Sequence, residues 1–591
     1  MHRHILSKSC GLAALLLAAF PALAHAQAYE RIAPHQPPAP TTPSLSVPAP
    51  TSVPAGGSLA VLVPALKGVV FVDNGQSVIP SGVPDTQTGI HQQGLPTLAT
   101  PEFDKQMSAF LGHQITMASL NELSQVTQNW YRTHGQPFLS VKIPPQNISN
   151  GIVQVVVTQY KVGNVRVAGN RWFSSGLIRR ESGLSNGQTL NLAHVKADMS
   201  WLNANDFRTV DAIFSPGAQQ GTTDVTLQTK DRFPVYVYGT YDNQGVPALG
   251  RREWGVGAVW GNAFNQDQVL SYQFTRSATG RYNAHAASWA IPLPWRDKIL
   301  VFGSYATEQP SLGAAGGYFN ENGHSCQVSA RYIHDFPSVQ IGPQVALLSD
   351  VQVGYDFKAS NNNLEFGGIK VFNGTAAVDQ FPIIFDATEN DTYGQTVFQN
   401  ELDLSPGGLT GANNNAAFQN VVPGSSASYY VDQSSVTRTT YLPGGISWTS
   451  HVLGQFTNHN QMYSNQLALG GMYSVRGYDT DTATGSEGVI TQNEIRTPAF
   501  SLIGLTKLKS DIFPQDTEQL SVFFDYGHVS QLRAISGEVN SADLSSVGLD
   551  LHTTLGRYVT LAWDVGWRLR NSPTDGGKGK SFGDVSMSVG F

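Results

Sequence analysis

The chain has 591 residues and a formal net charge of −7, and only 13% of its residues are charged. Ordinary soluble domains have about 25% charged residues, so the composition argues against a soluble multidomain enzyme. The mild acidity argues against a basic nucleic-acid-binding surface, and no nucleic acid partner is expected. The two cysteines, Cys10 and Cys326, exclude a disulfide framework and a cysteine-rich metal site.

Residues 1–26 have the features of a secretory signal peptide. Arg3 and Lys8 precede a nearly apolar run over residues 11–24, and an A-x-A cleavage signal ends at Ala26. The alternative is a membrane anchor, but a run of 14 residues is too short to span about 30 Å of hydrocarbon as a helix. No later run of about 18 apolar residues exists, so an exported chain is expected to be soluble or a β-barrel.

Residues 27–60 are predicted to form a proline-rich linker. Eight prolines lie between residues 33 and 54. Because proline fixes φ and lacks a backbone N–H group, we expect an extended, semi-rigid segment that does not fold by itself.

Residues 61–232 alternate between helical and strand patterns, which predicts two small α+β domains over residues 61–160 and 161–232. Ser119 and Glu122 form a possible capping box at the start of the first long helix. The predicted helical stripes are Leu120, Leu123, Thr127, Trp130 and Tyr131 in the first domain and Leu192, Val195, Met199 and Leu202 in the second.

From about residue 233 the pattern changes to long strands with one apolar face and one small or polar face. A single strand of this kind also fits a soluble sandwich, but several in an exported chain predict a transmembrane β-barrel over residues 233–591. At roughly 22 residues per strand and connection, this length predicts about 16 antiparallel strands. The final strand places Val585, Met587, Val589 and Phe591 on one face.

Patterns of enzyme chemistry are absent from the sequence. We find no G-x-S-x-G, H-E-x-x-H or Walker A pattern, and the 15 histidines show no metal-ligand spacing. We therefore expect no enzyme activity, no catalytic residue, no metal and no cofactor. Cys326, the only thiol left after signal-peptide cleavage, is expected to be a structural residue of the barrel.

The most informative motif lies in a long polar connection of the predicted barrel. Because buried charges are costly unless they are solvated or paired, an inward-facing Asp525 favours a cationic partner, and Arg476 is the candidate. On charge alone, two independent charges in a water-filled lumen remain the alternative. The motif residues are Val475, Arg476, Gly477 and Tyr478 in the connection, and Phe523, Asp525 and Gly527 on the lumen face of a later strand.

These two motifs resemble the paired motifs of the Omp85 superfamily, and the upstream domains resemble its POTRA domains. The segment from Tyr131 to Gly151 resembles the first POTRA domain of the two-partner secretion (TpsB) transporters, the ShlB/FhaC/HecB-type haemolysin activators. Residues 202–225 resemble the second POTRA domain, and residues 242–245 (D-N-Q-G) resemble the first barrel strand of that family. The resemblance covers residues 160–591 most completely.

The resemblance implies that Arg476 lies at the tip of a loop folded into the lumen and pairs with Asp525 on the barrel wall. It implies an outer-membrane transporter of a Gram-negative bacterium that exports an unfolded TpsA-like exoprotein, captured by periplasmic POTRA domains, without nucleotide hydrolysis. The expected partners are this exoprotein, outer-membrane lipid and the barrel-assembly machinery. Phe591 is the expected C-terminal assembly signal.

One departure from this family concerns the pore. TpsB relatives often carry an N-terminal plug helix, but only seven residues, 27–33, precede the first proline here. They make about 10 Å of helix, whereas the barrel is about 30 Å tall, so a plug is in doubt. Two other functions stay open: a membrane-protein insertase of the same superfamily, and a passive channel with periplasmic docking domains.

Overall fold

The computed structural model describes residues 29–38, 45–46, 57–311, 319–342, 345–366, 369–505, 515–536, 539–573 and 577–591. The predicted signal peptide, residues 1–26, lies outside the described residues. The chain divides into two compact units, one of residues 40–233 and one of residues 234–591 together with the segment before residue 40. Within the described ranges, no helix is both long and apolar enough to cross a membrane.

Helix α1 (Tyr29–Ile32) belongs to the second unit. The first unit contains two four-stranded sheets, of strand order β3-β2-β5-β4 and β1-β7-β8-β6, and two helices contact each sheet. Its strands are β1 (Leu45–Ser46), β2 (Gly68–Val72), β3 (Gly89–Gln93), β4 (Leu139–Lys142), β5 (Ile152–Gln159), β6 (Lys161–Ala168), β7 (Arg208–Pro216) and β8 (Thr222–Asp231). Its helices are α2 (Pro101–Ser108), α3 (Met117–Thr133), α4 (Ser175–Glu181) and α5 (Leu192–Leu202).

Helix α3 shows how the sequence pattern produces the first domain. Its predicted stripe is buried at four positions, Leu120, Leu123, Thr127 and Tyr131. The helix begins one turn earlier than expected, because Thr116 is the N-cap: its hydroxyl accepts from the Ser119 N–H at 3.1 Å, and Ser119 Oγ accepts from the Thr116 N–H at 2.8 Å. The capping box predicted at Ser119 and Glu122 is therefore wrong, since Ser119 is the third helical residue.

The second unit is a closed antiparallel barrel. Seventeen strand segments form its wall in the described part of the chain, and they occupy sixteen positions because β14 and the short β15 pair with successive stretches of β16. Among the described residues, β21 and β22 pair only with each other. The strands are β9 (Val235–Asp242), β10 (Glu253–Ala263), β11 (Gln268–Ser277), β12 (Tyr282–Pro292), β13 (Lys298–Glu308), β14 (Phe319–Asp335), β15 (Val339–Gly342), β16 (Val345–Phe366), β17 (Ile369–Asp391), β18 (Gly394–Ser405), β19 (Tyr429–Tyr441), β20 (Ser447–Thr457), β21 (Leu467–Leu469), β22 (Ala483–Gly485), β23 (Glu487–Arg496), β24 (Asp516–Ser530), β25 (Ser541–Leu555), β26 (Val559–Arg568) and β27 (Ser581–Gly590). Helices α6 (Asn415–Val421) and α7 (Leu502–Leu505) lie in connections.

Side chains alternate between the outer and inner faces of this wall. On β24, Val522 and Phe524 are exposed on the outer face, whereas Phe523 and Asp525 are buried on the inner face. A strand that contacts lipid on one side only has alternating residues, with apolar side chains facing the lipid and polar side chains facing the lumen. The alternation therefore directs Asp525 into the lumen.

The N-terminal segment lies against the inner wall of the barrel. Ile32 of α1 is buried in a cluster with lumen-facing Tyr282 and alanines of β12 and β13. The guanidinium of Arg31 lies 4.8 Å from the centre of the Tyr282 ring and 3.4 Å from Glu253 Oε1. The backbone N–H of His35 donates to the Tyr238 hydroxyl at 2.8 Å. A four-residue helix therefore occupies part of the lumen.

Candidate functional site: a loop fastened to the inner barrel wall

The connection between β20 and β23, residues 458–486, folds into the barrel and is called the lumen loop below. Its apolar side chains are buried against lumen-facing residues of the wall. The loop reverses at Gly477, whose φ of +85° is in the region that favours glycine. The buried cluster consists of Leu467, Leu469, Val475, Tyr478 and Ala483 of the loop and Leu453, Ile490, Val529, Ala542 and Leu544 of the wall.

Arg476 fastens the loop to β24 through its guanidinium and its backbone. Its Nε donates to Asp525 Oδ2 at 2.8 Å, its Nη2 donates to Asp525 Oδ1 at 2.8 Å, and its backbone N–H donates to Oδ2 at 3.1 Å. Arg476 is 3% exposed and Asp525 is 0% exposed. This is the parallel two-bond geometry in which a planar guanidinium recognises a carboxylate most strongly.

A second carboxylate completes the charge balance around Arg476. The Nη1 of Arg476 donates to Glu494 Oε1 on β23. Two nitrogens of Arg496 donate to the other carboxylate oxygen of Glu494, at 2.6 Å and 2.8 Å. The group therefore contains two positive and two negative side chains and is neutral. Buried ion pairs offset their desolvation cost only when geometry and hydrogen bonding are this complete.

Phe523 and Gly527, on either side of Asp525, shape the surface that receives the loop. The guanidinium carbon of Arg476 lies 3.6 Å from the centre of the Phe523 ring, a cation–π contact. A Cβ at Gly527 would lie 2.5 Å from Leu469 and 2.9 Å from Val475. In the F-x-D-x-G pattern, the Phe523 ring therefore packs on Arg476 and Asp525 pairs with it. Gly527 leaves the space that Leu469 and Val475 of the loop occupy.

The residues that follow Arg476 are held by β25 and β26. Arg568 Nε of β26 donates to the carbonyl of Gly477 at 2.7 Å, and the Tyr478 hydroxyl donates to the Ser545 carbonyl of β25 at 3.0 Å. Gly477 packs directly on Gly566, where an added Cβ would lie 2.7 Å from the Gly477 backbone. The V-R-G-Y segment thus contacts three consecutive strands of the wall.

The loop is also held at the seam where β9 and β27 close the barrel. Gln244, in the D-N-Q-G segment, accepts from the Met472 N–H at 2.8 Å and donates to Asp584 of β27 at 2.6 Å. Asp479 of the loop pairs with Arg251, with Nη2 and Oδ2 3.0 Å apart. Through Gln244 the loop is linked to β27, and through Gln244 and Arg251 it is linked to the connection that follows β9.

The structure places all the motif residues predicted from the sequence in one region, except Phe591. Phe591 is 77% exposed, and its N–H donates to the Val237 carbonyl at 3.0 Å at the end of the β9–β27 seam. Motif patterns in the sequence did not indicate the site roles of Glu494, Gly566 and Arg568. Strand alternation was the available signal for Glu494 and Arg496, which are two residues apart and so share a face.

A second charged cluster lies on the lumen face of β14, β16 and β18. One carboxylate oxygen from each of Asp356, Glu401 and Asp403 lies within 4.8 Å of the other two. Arg331 donates to both oxygens of Asp356, at 2.6 Å and 3.0 Å. The Arg331 guanidinium therefore offsets part of the negative charge of these three carboxylates.

Comparisons with known proteins identify the family of this chain. The family of haemolysin secretion/activation proteins ShlB/FhaC/HecB matches residues 221–334 and 382–552, and the ShlB-type POTRA domain matches residues 86–159. The chain belongs to the ShlB/FhaC/HecB family. It is a TpsB-type protein of the outer membrane, and members of this family are transporters.

Individual relatives match most of the chain. The heme/hemopexin transporter protein HuxB of Haemophilus influenzae is 23% identical over 490 residues, which are 79% of this chain and 80% of the relative. The outer membrane transporter CdiB-2 of Burkholderia pseudomallei is 23% identical over 381 residues, 61% of each chain. The solved structure of CdiB from Escherichia coli has a TM-score of 0.71 at 16% identity and covers 92% of this chain and 94% of that one.

These findings confirm several predictions made from the sequence. The fold class, an antiparallel transmembrane barrel of about 16 strands preceded by α+β POTRA structure, is confirmed. The family and the outer-membrane location, with POTRA domains on the periplasmic side, are confirmed as well.

Proposed function

We propose that this protein exports an unfolded TpsA-like exoprotein from the periplasm through its barrel. The observation that carries the proposal is the lumen loop, which lies inside a closed barrel and is fastened through the neutral Arg476–Asp525 group. A barrel lumen lined by polar side chains provides a hydrated path for an extended chain. The loop is the part of this path that a passing polypeptide has to meet.

The capture step belongs to the periplasmic domains. We propose residues 61–160 and 161–232 as two POTRA domains, preceded by the proline-rich linker of residues 27–60, whose first part, residues 29–38, is the N-terminal segment in the barrel. Their mixed sheets allow an extended chain to add as a further strand, which selects an unfolded backbone with little requirement for a particular sequence. An unfolded exoprotein emerging into the periplasm presents such a backbone.

The energy for export comes, in this proposal, from folding of the exoprotein outside the cell. The sequence has no Walker A pattern, so nucleotide hydrolysis is not part of the mechanism. Folding outside removes extended chain from the exit and so disfavours its return. Lipid contacts the outer barrel face, and the barrel-assembly machinery inserts the chain, with Phe591 as the signal that it reads.

The lumen loop serves as a gate or a conformational anchor. Its residues Val475, Arg476, Gly477 and Tyr478 hold the closed arrangement together with Phe523, Asp525 and Gly527 of the wall. A passive channel gives no reason for a neutral buried ion-pair group that fixes one loop conformation. An insertase of the same superfamily shares this loop, and the two functions differ in their cargo.

A gene deletion tests the function directly. The proteins of the culture medium and of the outer membrane are compared by mass spectrometry in the deletion strain and in the strain complemented with the wild-type gene. Loss of one large secreted β-rich protein, with other barrels unchanged, supports the exporter. General loss of outer-membrane barrels indicates an insertase, and no change in either fraction indicates a passive channel.

A further inference from the structure

Three exposed arginines lie at the extracellular end of β10, β11 and β12. Strand β9 follows the periplasmic domains directly, so it begins at the periplasmic end of the barrel and ends at the extracellular one. Because antiparallel strands reverse direction, the connections β9–β10 and β11–β12 both lie at the extracellular end. Arg252 and Arg281 belong to these two connections, and Arg276 is the second-last residue of β11.

Backbone contacts bring the three arginines to one place on the barrel. The Arg252 carbonyl accepts from the Ala278 N–H at 2.7 Å, which holds Arg252 beside the end of β11. The guanidinium of Arg276 reaches the β11–β12 connection, where a Cβ at Gly280 would lie 3.0 Å from its Nη2. Arg281 is the next residue of this connection. The three positive charges therefore surround a single tight turn.

No carboxylate neutralises these arginines within the described part of the chain. The side chains of Arg252, Arg276 and Arg281 make no ion pair, hydrogen bond or ring contact with described residues. By contrast, the neighbouring Arg251 pairs with Asp479, with Nη2 and Oδ2 3.0 Å apart. The chain as a whole has a formal charge of −7, so this local excess of positive charge does not follow from the composition. Unpaired arginines at a membrane surface attract anionic groups.

An aromatic, lipid-facing surface adjoins the arginines on the side of the membrane centre. Arg276 is in register with Trp254, and Trp254 is in register with Tyr241, so these side chains form one outward-facing row. The Trp254 ring centre lies 5.7 Å from that of Phe274, one row closer to the membrane centre. Aromatic side chains on the outer face of a barrel mark the boundary between headgroups and acyl chains. The arginines therefore lie at headgroup level.

A cavity of about 550 Å³ lies beside this row, at the β9–β27 seam. Arg252 and Thr279 line it together with the apolar or aromatic side chains of Tyr241, Phe582 and Val585. A planar guanidinium binds two phosphate oxygens through parallel hydrogen bonds, and the apolar side chains suit an acyl chain. A free anion would use only the first of these two features, whereas a lipid with a phosphate group uses both.

We propose that Arg252, Arg276 and Arg281 bind the phosphate groups of a phosphorylated glycolipid of the outer leaflet, with its acyl chains on the surface of Tyr241 and Trp254. Arg276 extends from the lipid-facing side of the wall, which favours a lipid over an acidic segment of polypeptide. The site depends on the outer-membrane location of the chain and not on the proposed export of an exoprotein.

Binding of lipid A to the purified full chain in detergent tests the proposal. Native mass spectrometry compares bisphosphorylated lipid A with dephosphorylated lipid A that has the same acyl chains. The wild type is expected to bind the phosphorylated form about tenfold or more tightly, and Arg252→Gln/Arg276→Gln/Arg281→Gln is expected to lose this preference. As a matched pair of single changes, Arg276→Gln weakens the preference, whereas Arg557→Gln, in the exposed β25–β26 turn at the periplasmic end, keeps it.

Heat-modifiable migration first shows that each variant barrel is folded, since only exposed side chains are changed. An equal preference in the wild type and the triple variant would overturn the site. Displacement of the lipid by an equimolar amount of inorganic phosphate would overturn it in favour of a free-anion site. Arginine-dependent binding of poly-glutamate, without binding of lipid A, would overturn it in favour of a polypeptide partner. The gene deletion decides export separately, so a failure of this site leaves the proposed function standing.

Discussion

Arg476 is the residue on which the lumen loop depends most. It donates three hydrogen bonds to Asp525 and one to Glu494, and its guanidinium lies over the ring of Phe523. Breaking a buried pair by removing one partner costs about 3–5 kcal/mol, because the other charge stays buried without compensation. The barrel itself is held by continuous strand ladders and does not rely on this group.

Arg476→Ala is therefore expected to lower export about tenfold or more at an unchanged amount of inserted barrel. Secreted and periplasmic cargo are measured by immunoblot, and insertion by heat-modifiable migration of the barrel. Arg438→Ala is the matched control, since its pair with Asp391, 2.8 Å long, is partly exposed and such pairs contribute little. Normal export by the Arg476 variant would refute the role of the loop.

The two carboxylates that contact Arg476 are not equivalent. Asp525 accepts three hydrogen bonds from Arg476 and is fully buried, whereas Glu494 shares its charge with Arg496. We expect Asp525→Asn to reproduce the export defect of Arg476→Ala and Glu494→Gln to show a smaller one. The amount of exported cargo is compared for the two variants at equal amounts of inserted barrel. A larger export defect for Glu494→Gln than for Asp525→Asn would contradict the greater importance of Asp525.

At the scale of elements, the loop and the wall meet through glycines as well as charges. Gly566 of β26 and Gly477 of the loop touch backbone to backbone, so no rotamer change can make room for a side chain. The site is therefore a fit between the lumen loop and strands β24–β26 in which both surfaces have to be complementary.

Gly566→Ala is expected to loosen the loop, because its Cβ would lie 2.7 Å from the Gly477 backbone. Limited proteolysis of the purified protein should then cleave the loop faster than in the wild type. Gly239→Ala on β9 is the matched control, as its nearest neighbour would be Gly255 O at 3.7 Å, an ordinary contact. Equal cleavage rates for the two variants would contradict the close packing.

The N-terminal segment is the second element inside the lumen. Removal of residues 29–38 takes away the contacts of Arg31 with Glu253 and of Tyr29 with Phe302, whose ring centres lie 4.5 Å apart. The open cross-section is then expected to grow, and single-channel conductance in planar bilayers to rise. Gln36→Ala, at an exposed position of the same segment, is the control. Unchanged conductance after deletion would show that the segment does not narrow the path.

Period-two alternation predicted the barrel and the inward face of Asp525. Charge alone left two independent lumen charges as an alternative, and the pairing of Arg476 with Asp525 was implied by the resemblance to the Omp85 motifs. Glu494 and Gly566 were not anticipated as part of the site. Their roles depend on strand register, which brings residues far apart in the chain side by side. Strand alternation indicated the face on which Glu494 lies, but not its partner Arg476. The pairing of Leu45–Ser46 with β7 was missed for a similar reason, since proline content predicts extension but not a partner strand.

For the whole molecule, the chain belongs to a family of outer-membrane transporters and divides into two compact units. In the proposed function, capture of cargo, the path through the membrane and the loop that closes it are all supplied by this chain. The account therefore requires no second membrane protein and no nucleotide for transport itself. The fate of the cargo separates the proposed exporter from an insertase and from a passive channel.

The most direct test is translocation by the purified protein in liposomes. The chain is inserted with its POTRA domains outside, unfolded cargo is added without nucleotide, and full-length cargo protected from protease inside the vesicles is measured. We predict that protected cargo accumulates with the wild type and falls strongly with Arg476→Ala. No protected cargo with the wild type, or equal amounts with both proteins, would contradict the account.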